Sequence, residues 1–540
     1  MPRNRAEHTA NTPVVRLDQV TFTHTGAPAP VWAHVSCAFP EGGIHVIAGP
    51  SGCGKSTLLQ VINGLIPHIN EGELTGRVLF RGKDVTDVDA RYRCAHIGYV
   101  MQDPEGQFCT FTVEEELAFG MENLGIDPAE IAYRSERVLA EMGMEDLMDR
   151  SLSALSGGQK QKIAIASVLA MEPDVLLLDE PTANLDPVSR NDVLELVVSS
   201  ARRSGMTVIM VEHNLSDIID AIDTFTVMDA QGNVVVQGSR SDVIGRLEDP
   251  DCSELRGYLP GSLWGPQAIE SVWQDDDLTV RGEPVLRVSD VSFAYPLNKG
   301  FRKRTYGPPV LDGVDLTVYQ EDFLAVVGQN GTGKSTLFNV IFGLYEQQSG
   351  SVELFGQDTR TMRKKDMYRT MGLVFQNPEL QFITNQVDDE LMASLKDEPM
   401  SDGEKHDRVS AMLERYGLLP YAGQSPFVLS QGQKRRLSVA TMLLTSQKML
   451  FLDEPTYGQD TQNRIELMDE MLRLNSQGVA IVMITHDLEL IRRYAKRVVC
   501  LDSGKVVLDG TPADYDRMLR DAETDRASDR RMEGGRVDHV

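Results

Sequence analysis

The chain has 540 residues, of which 41% are hydrophobic and 25% are charged, and its formal net charge is −27. A domain prior of roughly 150 residues suggests two to four domains, which excludes a single small module. The strong acidic excess argues against broad, sequence-independent attraction to nucleic acid or to anionic lipid headgroups. Binding of such a partner through a local basic patch is still possible.

The N-terminal stretch MPRNRAEHTANTPVV has no continuous apolar run that could form a signal-peptide core. Nowhere does the chain approach the roughly 18 uninterrupted apolar residues that a membrane helix needs. The six cysteines are dispersed, without a C-x-x-C pair or a histidine cluster, so neither a disulfide framework nor a zinc site is indicated. We therefore expect a cytoplasmic protein that relies on other polypeptides for any membrane span.

The first motif, GPSGCGKST, follows an apolar run and leads into a helix-period segment. Glycines in such a loop let backbone N–H groups approach a phosphate, and the helix N-terminus favours an anion. In this pattern Lys55 holds the β and γ phosphates and Ser56 offers a hydroxyl to Mg²⁺; the alternative is a glycine-rich turn with a surface lysine. The predicted phosphate loop comprises Gly49, Pro50, Ser51, Gly52, Cys53, Gly54, Lys55, Ser56 and Thr57.

Two further motifs follow a mainly helical segment, 103–155, which we expect to be inserted between two strands. LSGGQ opens a helix with Ser156 as its cap, either as a second phosphate-binding N-terminus or as a plain capped loop. The run VLLLDE places Asp179 at the carboxyl edge of a sheet, where it can hold a metal ion through water, and Glu180 can polarise an attacking water. The LSGGQ candidates are Ser156, Gly157, Gly158 and Gln159.

Residues 247–284 are predicted to be a linker, because acidic residues outnumber basic ones nine to two and prolines interrupt the segment. Trp264 and Trp273 are candidates to dock it onto a domain. The last twenty residues lack a core-forming pattern and are expected to be a frayed tail. The predicted divisions are a first domain at 1–246, the linker at 247–284, a second domain at 285–520 and the tail at 521–540.

The second half repeats the motifs of the first in the same order, with GQNGTGKST, QNPELQF, LSQGQ and LFLDEP for GPSGCGKST, QDPEGQF, LSGGQ and LLLDEP. Asp453 and Glu454 therefore match Asp179 and Glu180. A basic insert spanning 299–304 is expected to be a solvated hairpin, with an anionic-headgroup contact as the alternative. The matched candidates are Gly328, Gln329, Asn330, Gly331, Thr332, Gly333, Lys334, Ser335, Thr336, Ser430, Gln431, Gly432 and Gln433.

In both halves short β-branched runs alternate with longer helix-period segments, which fits a parallel sheet covered on both faces. With the motifs in this order, the chain resembles the ATP-binding-cassette (ABC) ATPases over nearly its whole length. The resemblance implies an α/β fold with two P-loop ABC-ATPase domains, each a mainly parallel sheet core with an inserted helical subdomain. It also implies ATP hydrolysis with ATP and Mg²⁺ as ligands.

The same resemblance assigns roles to single residues. Gln102 and Gln376 would be loop glutamines that sense the γ phosphate and the metal, and Tyr295 would stack on adenine. His213 and His486 would be switch histidines that contact the γ phosphate. The candidate catalytic residues are Glu180, Glu454, His213, His486, Gln102 and Gln376, and the candidate metal-binding residues are Ser56, Ser335, Gln102, Gln376, Asp179 and Asp453.

The two halves depart from the family pattern unequally. His24 occupies the position of Tyr295, and Gln431 replaces a glycine of the LSGGQ motif. If the phosphate loop of each half faces the LSGGQ-type motif of the other, both departures affect the site that contains Lys55 and Glu180. The segment from Tyr457 to Asp460 also departs, with YGQD in place of ANLD. We predict two hydrolytic sites of unequal rate.

QDPEGQF with TVEEEL, and QNPELQF with NQVDDEL, resemble the ATPases of energy-coupling-factor (ECF) importers. The resemblance implies integral membrane partners, namely a shared coupling protein and a substrate-capture protein, and a position at the cytoplasmic face of the membrane. It implies a vitamin, a vitamin precursor such as hydroxymethylpyrimidine or thiamine, or a transition-metal ion as cargo. Phe108, Phe111 and Phe382 are candidates to line the partner grooves, unless they pack inside the helical subdomain.

Three other classes of tandem-cassette protein fit the sequence less well than an ECF ATPase does. A soluble tandem-cassette translation factor would carry a long basic linker suited to RNA, whereas this linker is acidic, so no nucleic-acid partner is expected. Fused ATPases of sugar importers usually have one degraded half, whereas both halves here keep the catalytic residue types. DNA-repair relatives would need zinc cysteines or long coiled coils, and neither pattern is visible.

Overall fold

A computed structural model describes residues 13–27, 29–88, 90–183, 185, 187–212, 216–259, 263, 271–273, 282–297, 305–396, 398–429, 431–445, 447–456 and 461–521. The chain divides into two compact units, Met1–Gln267 with Gly458–Gln462 and Ala268–Tyr457 with Asn463–Val540. Several predicted features lie outside the described residues, namely His213, Trp264, the basic insert, Ser430, 457–460 and most of the tail.

The first unit contains two sheets. Its strands are β1 (Pro13–His24), β2 (Trp32–Pro40), β3 (Ile44–Ala48), β4 (Gly72–Phe80), β5 (Lys83–Asp84), β6 (Ile97–Val100), β7 (Val175–Asp179), β8 (Thr207–Val211), β9 (Thr224–Met228) and β10 (Val234–Gly238). An antiparallel sheet has the order β2-β1-β4-β5, and a six-stranded sheet has the order β10-β9-β3-β8-β7-β6. In the larger sheet all neighbours are parallel except β10 and β9.

Helices surround this larger sheet and form a subdomain beside it. They are α1 (Lys55–Asn63), α2 (Leu65–His68), α3 (Ala90–His96), α4 (Pro104–Gln107), α5 (Val113–Leu124), α6 (Pro128–Met142), α7 (Gly157–Ala170), α8 (Pro187–Ser204) and α9 (Arg240–Leu247). Helices α4, α5 and α6 lie between β6 and β7 in the chain, where the sequence predicts an inserted helical subdomain. A hydrophobic cluster of its own, which includes Leu117, Leu139 and Ile163, holds this subdomain together.

The second unit repeats the first. Its strands are β11 (Pro284–Phe293), β12 (Leu311–Tyr319), β13 (Phe323–Val327), β14 (Ser349–Leu354), β15 (Gln357–Asp358), β16 (Met371–Val374), β17 (Met449–Asp453), β18 (Ala480–Ile484), β19 (Arg497–Asp502) and β20 (Lys505–Gly510). Its helices are α10 (Lys334–Ile341), α11 (Lys364–Thr370), α12 (Val387–Ser394), α13 (Asp402–Arg415), α14 (Gln431–Leu443), α15 (Thr461–Asn475) and α16 (Leu488–Tyr494). The sheet orders are β12-β11-β14-β15 and β16-β17-β18-β13-β19-β20.

Burial explains why these segments are strands. All five residues of β3, β7 and β8 are buried, as are those of β13, β17 and β18. Continuous apolar strands of this kind are stable where helices cover both faces of a parallel sheet. The α/β prediction with a mainly parallel core is therefore confirmed. The antiparallel sheets were not predicted; there the burial of β1 and β11 roughly alternates, because one face is exposed.

The end of the predicted linker packs on the second unit. The indole Nε1 of Trp273 donates to the carbonyl oxygen of Tyr494 at 2.7 Å, and the Val272 N–H donates to that of Arg493 at 3.0 Å. The ammonium group of Lys496 lies 4.1 Å from the centre of the indole ring, a cation–π contact. Trp273 thus docks as the sequence suggested, and it covers the last carbonyls of α16.

Candidate active sites

The first phosphate loop joins β3 to α1. Lys55 Nζ donates to the carbonyl oxygens of Gly49 and Pro50, both at 2.8 Å, so the side chain lies back across the loop. Gly54 has φ 94°, and a Cβ there would lie 2.4 Å from the indole nitrogen of Trp32. Only glycine fits this position, which brings the N-terminus of α1 to the mouth of the loop.

The second phosphate loop has the same form. Lys334 Nζ donates to the carbonyl oxygens of Gly328 and Gln329, both at 2.8 Å. Gly333 has φ 102°, and a Cβ there would lie 2.8 Å from the carbonyl oxygen of Val310. The predicted strand–loop–helix context is therefore present in both units, and each loop combines a lysine with a helix N-terminus, features that favour an anion.

A carboxylate and a hydroxyl meet at the first loop. Ser56 Oγ donates to Asp179 Oδ1 at 2.9 Å, and the Tyr99 hydroxyl donates to Asp179 Oδ2 at 3.0 Å. Burial raises the pKa of Asp179, and the Ser56 hydrogen bond opposes that rise. In the second unit, burial likewise raises the pKa of Asp453 against a hydrogen bond from Ser335. Hard oxygen donors paired in this way suit Mg²⁺.

The first candidate base is Glu180. Its backbone has φ 46°, and its N–H donates to the carbonyl oxygen of Val211 at 2.9 Å, which ties the end of β7 to β8. Gln102 Nε2 donates to Glu180 Oε2 at 2.7 Å, so the loop glutamine and this carboxylate are joined directly. A positive φ is uncommon for a residue other than glycine and is often found at functional sites.

The second candidate base, Glu454, has a different environment. Its backbone has φ 48°, and its N–H donates to the carbonyl oxygen of Ile484 at 3.0 Å. His486 Nε2 lies 3.4 Å from Glu454 Oε1. Burial, reinforced by the charge of Asp453, raises the pKa of Glu454 to about 8, although Lys334 lowers it. A carboxyl group with this pKa can exchange a proton near neutral pH.

The LSGGQ motif forms a complete capping box. Ser156 Oγ accepts from the Gln159 N–H at 3.3 Å, while Gln159 Oε1 accepts from the Ser156 N–H at 3.0 Å. A Cβ on Gly157 would meet nothing within 4 Å, so the start of α7 is open to a ligand. Helix α14 begins at the matching place in the second unit, and Gly432 there is equally open.

The predicted adenine-stacking residue, Tyr295, is 43% exposed and belongs to an aromatic cluster. Its ring contacts those of Phe293 and Tyr345 edge-on, with centroids 5.1 and 5.7 Å away, and its hydroxyl lies 3.0 Å from Thr336 Oγ1. The site therefore brings an aromatic surface next to the phosphate loop. In the first unit His24 contacts only Phe22 among the described aromatic rings, at 4.7 Å.

Sequence reasoning missed a buried carboxylate beside the first site. Glu212 follows β8, and its Oε2 accepts from the backbone N–H and the hydroxyl of Thr182 at 3.3 and 2.7 Å. Thr182 lies two residues after Glu180, so Glu212 holds the turn that follows the candidate base. The only signal was its place in VEHN, directly before His213.

The structure separates the three phenylalanines proposed for partner grooves. Phe382 is 8% exposed and packs in the hydrophobic core of its helical subdomain, and Phe108 is partly buried against two core clusters. Phe382 therefore takes the alternative of packing inside the subdomain, whereas Phe108 stays partly exposed. Phe111 is 85% exposed, and in the second unit Ile383 is 80% and Leu380 72% exposed.

Known proteins resemble this chain in sequence. The sequence model of a family described as "ABC transporter" matches residues 32–183 and 311–457. A Bacillus subtilis (strain 168) protein with the provisional name HMP/thiamine import ATP-binding protein YkoD is 36% identical over 516 residues, 93% of this chain and 92% of the relative. A provisionally named ABC transporter ATP-binding protein of Methanosarcina acetivorans is 34% identical over 531 residues, 93% of this chain and 86% of the relative.

Among solved structures, cbiO1 from Clostridium perfringens, described as part of the ABC transporter complex cbiONQ, is 30% identical. The similarity covers 45% of this chain and 98% of that chain, with a TM-score of 0.39. It spans less than half of the present sequence.

Proposed function

Because the chain belongs to the ABC transporter family and is a tandem ABC ATPase that binds and hydrolyses ATP, we propose that it powers a membrane importer of the ECF type. The proposal has three parts: the roles of the residues at each site, the membrane partner, and the cargo. Each part is supported by different observations.

At each site the phosphate loop binds ATP through backbone N–H groups and a lysine, Lys55 or Lys334. The paired hydroxyl and carboxylate, Ser56 with Asp179 and their counterparts in the second unit, would hold Mg²⁺, which neutralises charge on the phosphates. Glu180 and Glu454 then accept a proton from the attacking water.

A membrane partner is supported by exposed apolar residues in the turn that follows each loop glutamine, namely Phe111 and Ile383. The two residues lie in the same turn of the two halves, although Ile383 aligns with Cys109 and Phe111 with Asn385. Exposed apolar side chains of this size in one turn can mark an interaction site. Among the described residues, no helix is both long and apolar enough to cross a membrane. We therefore propose that integral membrane proteins dock here and that the chain lies peripherally at the cytoplasmic face.

A buried glutamate in the TVEEEL helix holds the turn that carries Phe111. Glu116 Oε2 accepts from the N–H groups of Cys109 and Thr110 at 3.0 and 3.1 Å, and from the Thr110 hydroxyl at 3.0 Å. Thr112 and Glu115 close a capping box on the same helix, α5. The turn is thus fixed from both sides, which keeps the aromatic ring directed outward.

The same device recurs in the second unit. Glu390 Oε2 accepts from the N–H groups of Ile383 and Thr384 at 2.9 and 2.8 Å, and from the Thr384 hydroxyl at 2.8 Å. The resemblance of QDPEGQF-TVEEEL to ECF ATPases thus corresponds to a rigid turn with an apolar tip. We propose thiamine or its precursor hydroxymethylpyrimidine as cargo, supported by the name of the Bacillus relative.

The test is to purify the chain from its native cell in mild detergent and to identify what co-purifies. Wild type is expected to retain small polytopic membrane proteins, and Phe111→Asp with Ile383→Asp is expected to lose them while still binding ATP. Val507→Asp is the control, because Val507 is 54% exposed on β20. Stoichiometric ribosomal proteins and RNA would contradict the importer and favour a translation factor.

A further inference from the structure

A buried cation holds the loop that carries Gln376. Arg435 lies in α14 with 1% of its surface exposed. Its guanidinium donates from Nη1 to the carbonyl oxygen of Phe375 and from Nη2 to that of Gln376. A buried guanidinium is tolerated only where acceptors satisfy it, and bonds from a charged donor are strong. The arginine thus fixes the backbone at the loop glutamine itself.

The first unit anchors its matching loop by other means. Gln107 Oε1 accepts from the Met101 N–H at 3.0 Å, and Gln107 Nε2 donates back to α7 at 3.2 Å. In the second unit the matching glutamine, Gln381, instead accepts from the Ser438 hydroxyl at 2.7 Å. The position of the buried arginine is taken by Gln161, which is 1% exposed and whose amide nitrogen has no hydrogen-bond partner among the described residues.

The guanidinium also acts on the carboxyl groups at the end of β17. Its positive charge lowers the pKa of both Asp453 and Glu454, as the charge of Lys334 does, whereas burial raises both. Asp487 and Asp453 raise the pKa of Glu454. His486 faces Glu454 from the loop after β18.

We propose that Arg435 is a positioning residue for ATP hydrolysis in the second unit. It holds the backbone of Gln376 in place through the two hydrogen bonds that its buried guanidinium donates to the loop carbonyl oxygens. In the first unit a neutral glutamine, Gln161, stands at the matched position, and Gln107 bonds to the backbone of the loop. This inference rests on the proposed roles of Gln376 and Glu454 and is independent of what is transported.

The test compares Arg435→Gln with Glu454→Gln in the full-length chain. Glutamine is the residue that the first unit buries at this position, so the fold accommodates it. Arg435→Gln should remove about half or more of the ATP turnover that Glu454→Gln removes, with KM for ATP changed less than about two-fold, since loop placement and not uniform binding is lost.

Two further variants separate positioning from stability. Arg435→Lys keeps a charged donor group without the two-armed guanidinium, so it should recover part of the kcat that Arg435→Gln loses. Arg436 aligns with Lys162 of the first unit, so Arg436→Lys introduces a residue that this position accepts and should behave as wild type. A wild-type kcat for Arg435→Gln overturns the inference, as does a loss of kcat that comes with an equally large rise in KM for ATP. If Glu454→Gln has no effect, the assignment of the site itself is wrong.

Discussion

Burial changes the acid–base behaviour of Glu454. Its pKa is raised to about 8, chiefly by burial and then by the neighbouring charge of Asp453. Near pH 7 the carboxyl group is therefore mostly protonated, although a general base must be ionised to accept a proton from water. Turnover at the second site is expected to rise with pH until this group is ionised.

The measurement for this prediction is kcat for ATP between about pH 6 and pH 9.5. Wild type should show a rising limb with a midpoint near the pKa of about 8. Glu454→Gln, which cannot titrate, should lose that limb while any turnover from the first site keeps its own profile. A limb that is unchanged in Glu454→Gln would assign it to another group.

The raised pKa also predicts how stability depends on pH. The folded state binds the Glu454 proton more tightly than the unfolded state, so this group stabilises the fold at low pH. That contribution is lost as pH rises from the ordinary glutamate pKa of 4.5 through about 8. Without nucleotide, the Tm of wild type should therefore fall more steeply over this window than the Tm of Glu454→Gln. Parallel curves for the two proteins would contradict the prediction.

Gly54 is a residue where backbone conformation and packing act together. With φ 94° and an added Cβ only 2.4 Å from the Trp32 indole nitrogen, Gly54→Ala should destabilise the first unit by about 2 kcal/mol or more and weaken ATP binding there. Thermal unfolding and ATP titration measure both effects. Gly245→Ala is the control, because Gly245 lies within α9 and an added Cβ there meets no other atom. This variant should raise the free energy of unfolding by about 0.5–1 kcal/mol.

At the scale of elements, the turn before α5 depends on one carboxylate. The Glu116 carboxylate accepts three hydrogen bonds, and Glu116→Gln replaces it with an amide that also carries donors. This change should lower the free energy of unfolding by about 1–3 kcal/mol. The turn with Phe111 should loosen, so co-purifying membrane proteins should decrease together with Tm. Glu130→Gln, on the exposed face of α6, is the control and should change neither.

The strands of the parallel core and the inserted helices could be predicted, because continuous apolar runs and helical periodicity are local signals, whereas the antiparallel sheets were not predicted. Helix α7 begins one residue after Ser156, the predicted cap. The position of Phe382 could not be predicted, because an aromatic residue after a Gln-x-Pro segment fits a groove or a core equally well. Its ring meets Phe427 at 6.1 Å, a contact between residues far apart in the chain. Arg435 was missed for the same reason, since only tertiary packing shows that it is buried.

For the whole molecule, the repeated halves share their motifs but not the residues that support them. Tyr99 donates to Asp179 in the first unit, and Leu373 takes its place in the second, where Arg435 supplies a charge instead. Gln102 bonds directly to Glu180 in the first unit. Two sites built from the same chemistry are therefore expected to differ in rate.

The departures from the family pattern predict which site is faster. His24 gives weaker stacking than Tyr295, and the motif with Gln431 should approach a γ phosphate less closely, so Glu180 serves the slower site in the arrangement that the motifs predict. Glu454→Gln should lower steady-state ATP turnover about ten-fold or more, and Glu180→Gln should lower it distinctly less. Glu195→Gln, an exposed position on α8, is the control. Equal losses, or a larger loss in Glu180→Gln, would show that the departures do not set the rates.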